Sequence, residues 1–134
     1  MDEEISQRIE GSTSKYAFSN EEDYYKDLQN SKYGISTKRG GWDCLRHYEI
    51  AANQAVICFK RLSEKPSDCA PHGLIHRVNC IEYFNYEDLM QKLSTISDKE
   101  YEILRKNSLE WIRNHSCENL VRSVIQQHVN LLVT

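Results

Sequence analysis

Two short apolar runs, Tyr33, Gly34, Ile35, Ser36 and Ala55, Val56, Ile57, Cys58, Phe59, flank a loop and a helical stretch. The loop, Thr37-Lys38-Arg39-Gly40-Gly41, is basic and carries two glycines, and the helical segment runs over 42–53. Strand, loop, helix and strand make a βαβ unit, because parallel strands need a crossover of this kind. The pattern commits the chain to an α/β fold with a parallel sheet. It also says where a ligand would sit, since in open α/β sheets the loop after a strand's carboxyl end borders the binding crevice. Lys38, Arg39, Arg46 and Glu49 all lie on that loop or on the helix it opens.

The rest of the chain adds to this unit. Residues 1–18 are polar, with Gly11-Ser12-Thr13-Ser14 in the middle, and read as a flexible arm before one domain over 19–134. A length of 134 residues allows one modest core and not two. Ser19-Asn20-Glu21-Glu22 reads as a capping box opening a helix to about Asn30, with Tyr24, Tyr25 and Leu28 on adjoining faces. The connection 60–79 holds both prolines, Pro66 and Pro71, with Gly73, and its length suggests a lid or binding loop.

A third strand is expected over 79–84. Asn85 then caps a helix striped with Tyr86, Leu89, Met90 and Leu93. Ser97-Asp98-Lys99-Glu100 is a second capping box, opening a helix that buries Tyr101, Leu104, Ser108, Trp111 and Ile112 and ends near Asn114. A last amphipathic helix is expected from Ser116, carrying Leu120, Val121, Val124, Ile125, His128, Leu131 and Leu132. The fold class is therefore α/β: a small three-stranded parallel, Rossmann-like sheet flanked by helices, with C-terminal helices. Parallel sheets are normally buried on both faces, and the strand at 33–36 has no second neighbour in this chain. Its edge is expected to be covered by the N-terminal arm, by a second copy of the chain, or by a partner chain.

Composition narrows the functional classes. A formal charge of −3 argues against nucleic acid as a partner. No apolar run approaches the roughly 20 residues of a membrane span. The acidic start, MDEEISQRIE, lacks the apolar core of a signal peptide, and five cysteines then fit free thiols in a reducing compartment. The expected setting is the cytoplasm.

Read residue by residue, the chain offers few chemical groupings. Cys69, His72, His76 and Cys80 have ligand types and spacings that a tetrahedral zinc ion could use. Cys80, however, opens an apolar strand, where a small buried hydrophobe is expected, so the reading is no metal. No serine or cysteine nucleophile stands beside an evident base. His47 and Tyr48 read as helix residues, one outward and one packed. Glu49, one turn after Arg46, has the spacing of an ordinary surface ion pair.

The order of residues resembles a family. Tyr24-Tyr25, Leu28, Ser31-Lys32-Tyr33-Gly34-Ile35-Ser36, then Trp42-Asp43, Leu45-Arg46, Tyr48-Glu49 and Ala52 look like the C-terminal, donor-binding part of glycosyltransferases of the two-Rossmann-domain (GT-B) type, in their spore-coat and exostosin-like branches. Asn79-Cys80-Ile81-Glu82-Tyr83, Tyr86-Glu87-Asp88-Leu89, Trp111 and His115 continue the likeness, which runs from about Asp23 to Gln126. The resemblance implies a partial GT-B C-terminal domain that binds a nucleotide-sugar for glycosyl transfer, with the donor as substrate and no cofactor. It implies that Glu49, opening a Glu-x-x-Ala motif, accepts hydrogen bonds from the donor ribose. Lys38 and Arg39, with Arg46, would offset diphosphate charge, and Gly40 and Gly41 would let the backbone approach it. Relatives carry a glycine where this chain has Gln54 and a second glutamate where it has Gly41. Their acceptor domain and first donor strands have no counterpart here, so the chain is expected to be a fragment or shortened homologue, and the catalytic group is not identified. The alternative expectation is a non-catalytic scaffold that binds partners through the sheet edge or the C-terminal helix.

Overall fold

A computed structural model describes residues 3–8 and 20–115 of the chain. Its elements in order are α1 (Glu3–Arg8), α2 (Glu21–Gln29), β1 (Tyr33–Ser36), α3 (Leu45–Ala52), β2 (Val56–Lys60), a 3-10 turn (Leu62–Glu64), β3 (Cys80–Tyr83), α4 (Tyr86–Thr95) and α5 (Asp98–Asn114). The strands form one parallel sheet in the order β1-β2-β3, with Tyr33 opposite Val56 and Ile57 opposite Cys80. The expected α/β fold, a three-stranded parallel sheet flanked by helices, is what the chain adopts. The helix read from Ser116 onward lies outside the described residues.

The central strand explains the layering. Successive side chains of a strand point to opposite faces, and β2 is apolar on both: Ile57 and Phe59 enter one core cluster, Val56 and Cys58 the other. The first cluster packs α2 and α3 on the sheet through Leu28, Ile50 and Ala51. The second packs α1 and α4 through Ile5 and Leu89. Helix α5 serves both, giving Leu104 to the second cluster and Trp111 to the first. Burying a side chain the size of Ile50 or Leu89 contributes about 1.5–3 kcal/mol.

Three local expectations shift. Helix α2 is capped by Asn20, whose Oδ1 accepts from the Asp23 N–H at 2.9 Å, rather than by Ser19, which lies outside the described residues. Helix α3 begins at Leu45, so 42–44 belong to the loop. Within the stretch read as a flexible arm, Glu3–Arg8 form α1, whose Ile5 is wholly buried and whose Arg8 meets Glu87 at 2.7 Å. The caps at Asn85 and Ser97 are as expected, accepting from the Asp88 and Glu100 N–H groups.

Both sheet edges are partly covered from within the chain. The Lys32 carbonyl accepts from the Val56 N–H at 2.9 Å, so by strand alternation the Ile35 carbonyl points to the free edge of β1. Arg46 reaches it there. On the other side, the connection after β2 folds back on β3. The Arg77 N–H donates to the Cys80 carbonyl at 2.9 Å, and the Glu82 N–H donates to His76 Nδ1 at 2.9 Å. Asn79 fixes that turn, accepting from the Ile75 N–H and donating to the Gly73 carbonyl, each at 2.8 Å.

None of the described helices is long and apolar enough to cross a membrane.

Candidate functional site

The loop 37–44 leaves the carboxyl end of β1 and delivers the chain to the N-terminus of α3. Helix α3 sits close to the sheet because Gly34 has no side chain. A Cβ there would lie 2.7 Å from two carbons of Ile50, inside any tolerable contact. Gly40 and Gly41 differ from it. They are exposed, and a Cβ at either would meet nothing within 4 Å, so the loop is open to a ligand and packing does not demand glycine there.

Glu49 is half-buried on α3, about 6 Å along the axis from the first helical residue. Its side chain makes no ion pair or hydrogen bond among the described residues, Arg46 included. The ordinary ion pair that the spacing suggested does not form. Arg46 turns the other way: Nε donates to the Ile35 carbonyl at 2.8 Å, Nη1 donates to the Tyr24 hydroxyl at 3.0 Å, and the guanidinium stands 5.9 Å from the Tyr24 ring centre. Arg46 is thus a clamp between α3, β1 and α2.

Lys38 and Arg39 are exposed and have no carboxylate partner among the described residues. The Lys38 ammonium lies 5.3 Å from the Trp42 ring centre, and the Arg39 N–H donates to the Gly41 carbonyl at 3.1 Å. Among the described residues, the β1–α3 connection thus carries two exposed cations without a carboxylate partner and two glycines with open surroundings, and α3 carries a carboxylate with no hydrogen-bond partner.

His47 is not an outward residue. It is wholly buried beneath α3, its ring 4.5 Å from that of Phe59, while Tyr48 stacks on Trp111 at 5.4 Å. Tyr48 also donates to Asp43 at 2.7 Å, and burial followed by that bond pushes its hydroxyl pKa up. The His47 ring bridges Ser36 Oγ through Nδ1 and the Trp42 carbonyl through Nε2, the latter at 2.8 Å. Cys44 Sγ lies 3.4 Å from Nε2 and 3.8 Å from Nδ1. Burial alone would raise the Cys44 thiol, but the His47 hydrogen bond, the His47 interaction and the N–H groups of His47 and Arg46 together hold it below its ordinary value. A cysteine beside a histidine is thus present where the sequence shows no evident pair. The spacing Cys44-x-x-His47, one helical turn, was the available signal.

The possible zinc ligands do not gather. No three His, Cys, Asp or Glu side chains among the described residues cluster as a metal site. Cys80 is buried in the core, where burial pushes its thiol up to about 12, and His76 Nδ1 is taken by the Glu82 N–H. His76 belongs to the cover of the β3 edge.

No protein-family model, curated protein or solved structure matches this chain.

Proposed function

We propose that this chain is a glycosyltransferase-like module that binds a nucleotide-sugar donor along the β1–α3 connection. Glu49 accepts from the two ribose hydroxyls, since an ionised carboxylate takes both donors at once and charge assistance strengthens each bond. Lys38 and Arg39 meet the diphosphate over the open Gly40–Gly41 stretch, and Arg46 holds the helix that carries Glu49. The observation that carries the reading is Glu49 itself: a half-buried carboxylate left without a partner among the described residues, on the helix beside a ligand-side loop. Gln54 adds support. It adopts a left-handed backbone, φ 68°, at the position where the resembled family has glycine, the residue best suited to that conformation. The setting we infer is the cytoplasm, where the four described cysteines remain free thiols.

Calorimetric titration with UDP, GDP and their common sugars, repeated with Glu49→Ala, tests this directly. Binding that the substitution abolishes supports the donor site and identifies the nucleotide. No heat at millimolar ligand overturns it for this chain and favours the scaffold reading.

A further inference from the structure

We propose that Cys44 is a nucleophilic modification site, a half-buried cysteine whose sulfur is held by His47 and captures hydroperoxides. The inference stands apart from donor binding, because it uses the buried face of α3 and not Glu49.

The hydrogen-bond partners of His47 assign its tautomer. The Trp42 carbonyl can only accept, so Nε2 carries a proton, and in the neutral ring Nδ1 then accepts from the Ser36 hydroxyl. The ring is therefore no base toward Cys44. It is a donor whose Nε2–H is shared between the Trp42 carbonyl and Sγ, and such a donor favours the thiolate over the thiol.

One further feature acts in the same direction. Cys44 is the residue before the first turn of α3, which holds no acidic side chain, so the positive end of the helix dipole is left for the sulfur. Two ionisable side chains stand beside it, Tyr48 and Asp43, and the Asp43 carboxylate is engaged by the Tyr48 hydroxyl at 2.7 Å. His47 is wholly buried whereas Cys44 is half-buried, next to Leu45, which is 71 % exposed. Cys44 is thus the open member of the pair and His47 the closed one. The other described cysteines lack this arrangement: Cys58 and Cys80 are wholly buried, and Cys69 hydrogen-bonds the Asp68 carboxylate at 4.0 Å.

The step is balanced. The Cys44 thiolate attacks one oxygen of the hydroperoxide, an S–O bond forms as the O–O bond breaks, and the bonding pair leaves with the second oxygen. Water protonates that oxygen, which departs as water or an alcohol. The sulfur loses two electrons to become a sulfenic acid, and the peroxide gains them.

The full chain is treated with hydrogen peroxide in the presence of dimedone at neutral pH, with iodoacetamide in a parallel reaction, and adducts are mapped by peptide mass spectrometry. Cys44 is expected to label about tenfold faster than Cys69 with both reagents in the folded chain, and at the same rate in urea. His47→Gln, shown to be folded by circular dichroism, should lose most of that preference. Labelling of Cys44 no faster than Cys69, a preference that survives urea, or one retained in folded His47→Gln would each overturn the proposal. Iodoacetamide preference without a dimedone adduct would overturn its oxidation. Should His47→Gln fail to fold, the native-to-urea comparison decides alone.

Discussion

The guanidinium of Arg46 donates to the carbonyl of Ile35 at 2.8 Å, bringing a charged side chain from α3 to the free edge of β1. An edge carbonyl on a short strand would otherwise face water or another chain. The same group holds the Tyr24 hydroxyl at 3.0 Å and so joins two helices to that edge. Arg46→Ala removes two hydrogen bonds from a charged donor and is expected to destabilise the fold by about 2 kcal/mol. Tyr24→Phe, losing one of the two, should cost about half as much. Urea unfolding midpoints check both. An Arg46→Ala midpoint equal to wild type would mean that water replaces the clamp without loss.

Gly34 sets how closely α3 approaches the sheet. A methyl group there meets Ile50 carbons at 2.7–2.9 Å. Gly34→Ala should therefore destabilise by about 1–3 kcal/mol through overpacking. Ile50→Ala removes the opposing atoms, so the same substitution made in that background should cost much less. A double-mutant cycle with no coupling would show that the strand shifts instead of clashing.

His76 gives the fold a dependence on mild acid. Burial, then the charges of Lys92 and Arg77, holds its imidazole below the ordinary value of 6.5. Its Nδ1 accepts from the Glu82 N–H, which a protonated ring nitrogen could not do. The unfolded chain then binds the proton first as pH falls, so stability is full above about 6.5 and declines as pH drops from there toward the depressed folded value. Asp88 is held low against burial by Lys92 and the Phe84 N–H, and its contribution is lost only in stronger acid, below the range of His76. His76→Gln keeps an acceptor without a titrating group. Its thermal midpoint should change less between pH 7 and pH 5.5 than that of the wild type. Parallel curves for the two proteins would remove His76 as the cause.

A substitution at Glu49 separates the proposed ligand role from stability. With no partner among the described residues, Glu49→Gln should leave the unfolding midpoint within about 0.5 kcal/mol of wild type. A clear loss of stability would reveal a structural role and would weaken its assignment to a ligand.

Much of the architecture is legible along the chain because its causes are local. The apolar runs at 33–36 and 56–59 read as strands since both faces of a parallel sheet are buried. The caps at Asn85 and Ser97 read directly because cap and amide stand three residues apart. At α2 the cap is Asn20, whose Oδ1 accepts from the Asp23 N–H three residues on. The order of elements alone also placed a loop between the carboxyl end of β1 and the start of α3.

Partners distant in sequence were not. The spacing of Arg46 pointed to Glu49 and the resemblance to a diphosphate, whereas the approach of α3 to the edge of β1 puts its guanidinium on the Ile35 carbonyl. The zinc-like spacing of Cys69, His72, His76 and Cys80 dissolved because burial of Cys80 in β3 and the return of 75–79 along that strand put the ring of His76 on a backbone amide. Cys44 and His47 are three residues apart in sequence, but the contact of the ring with the sulfur is oriented by Ser36 and the Trp42 carbonyl, which sequence spacing does not show. Sequence determined which segments are strands and helices, because dihedral preference and apolar period act over a few residues. Only the tertiary structure decided which polar group meets which, because a hydrogen bond depends on distances that chain order does not contain.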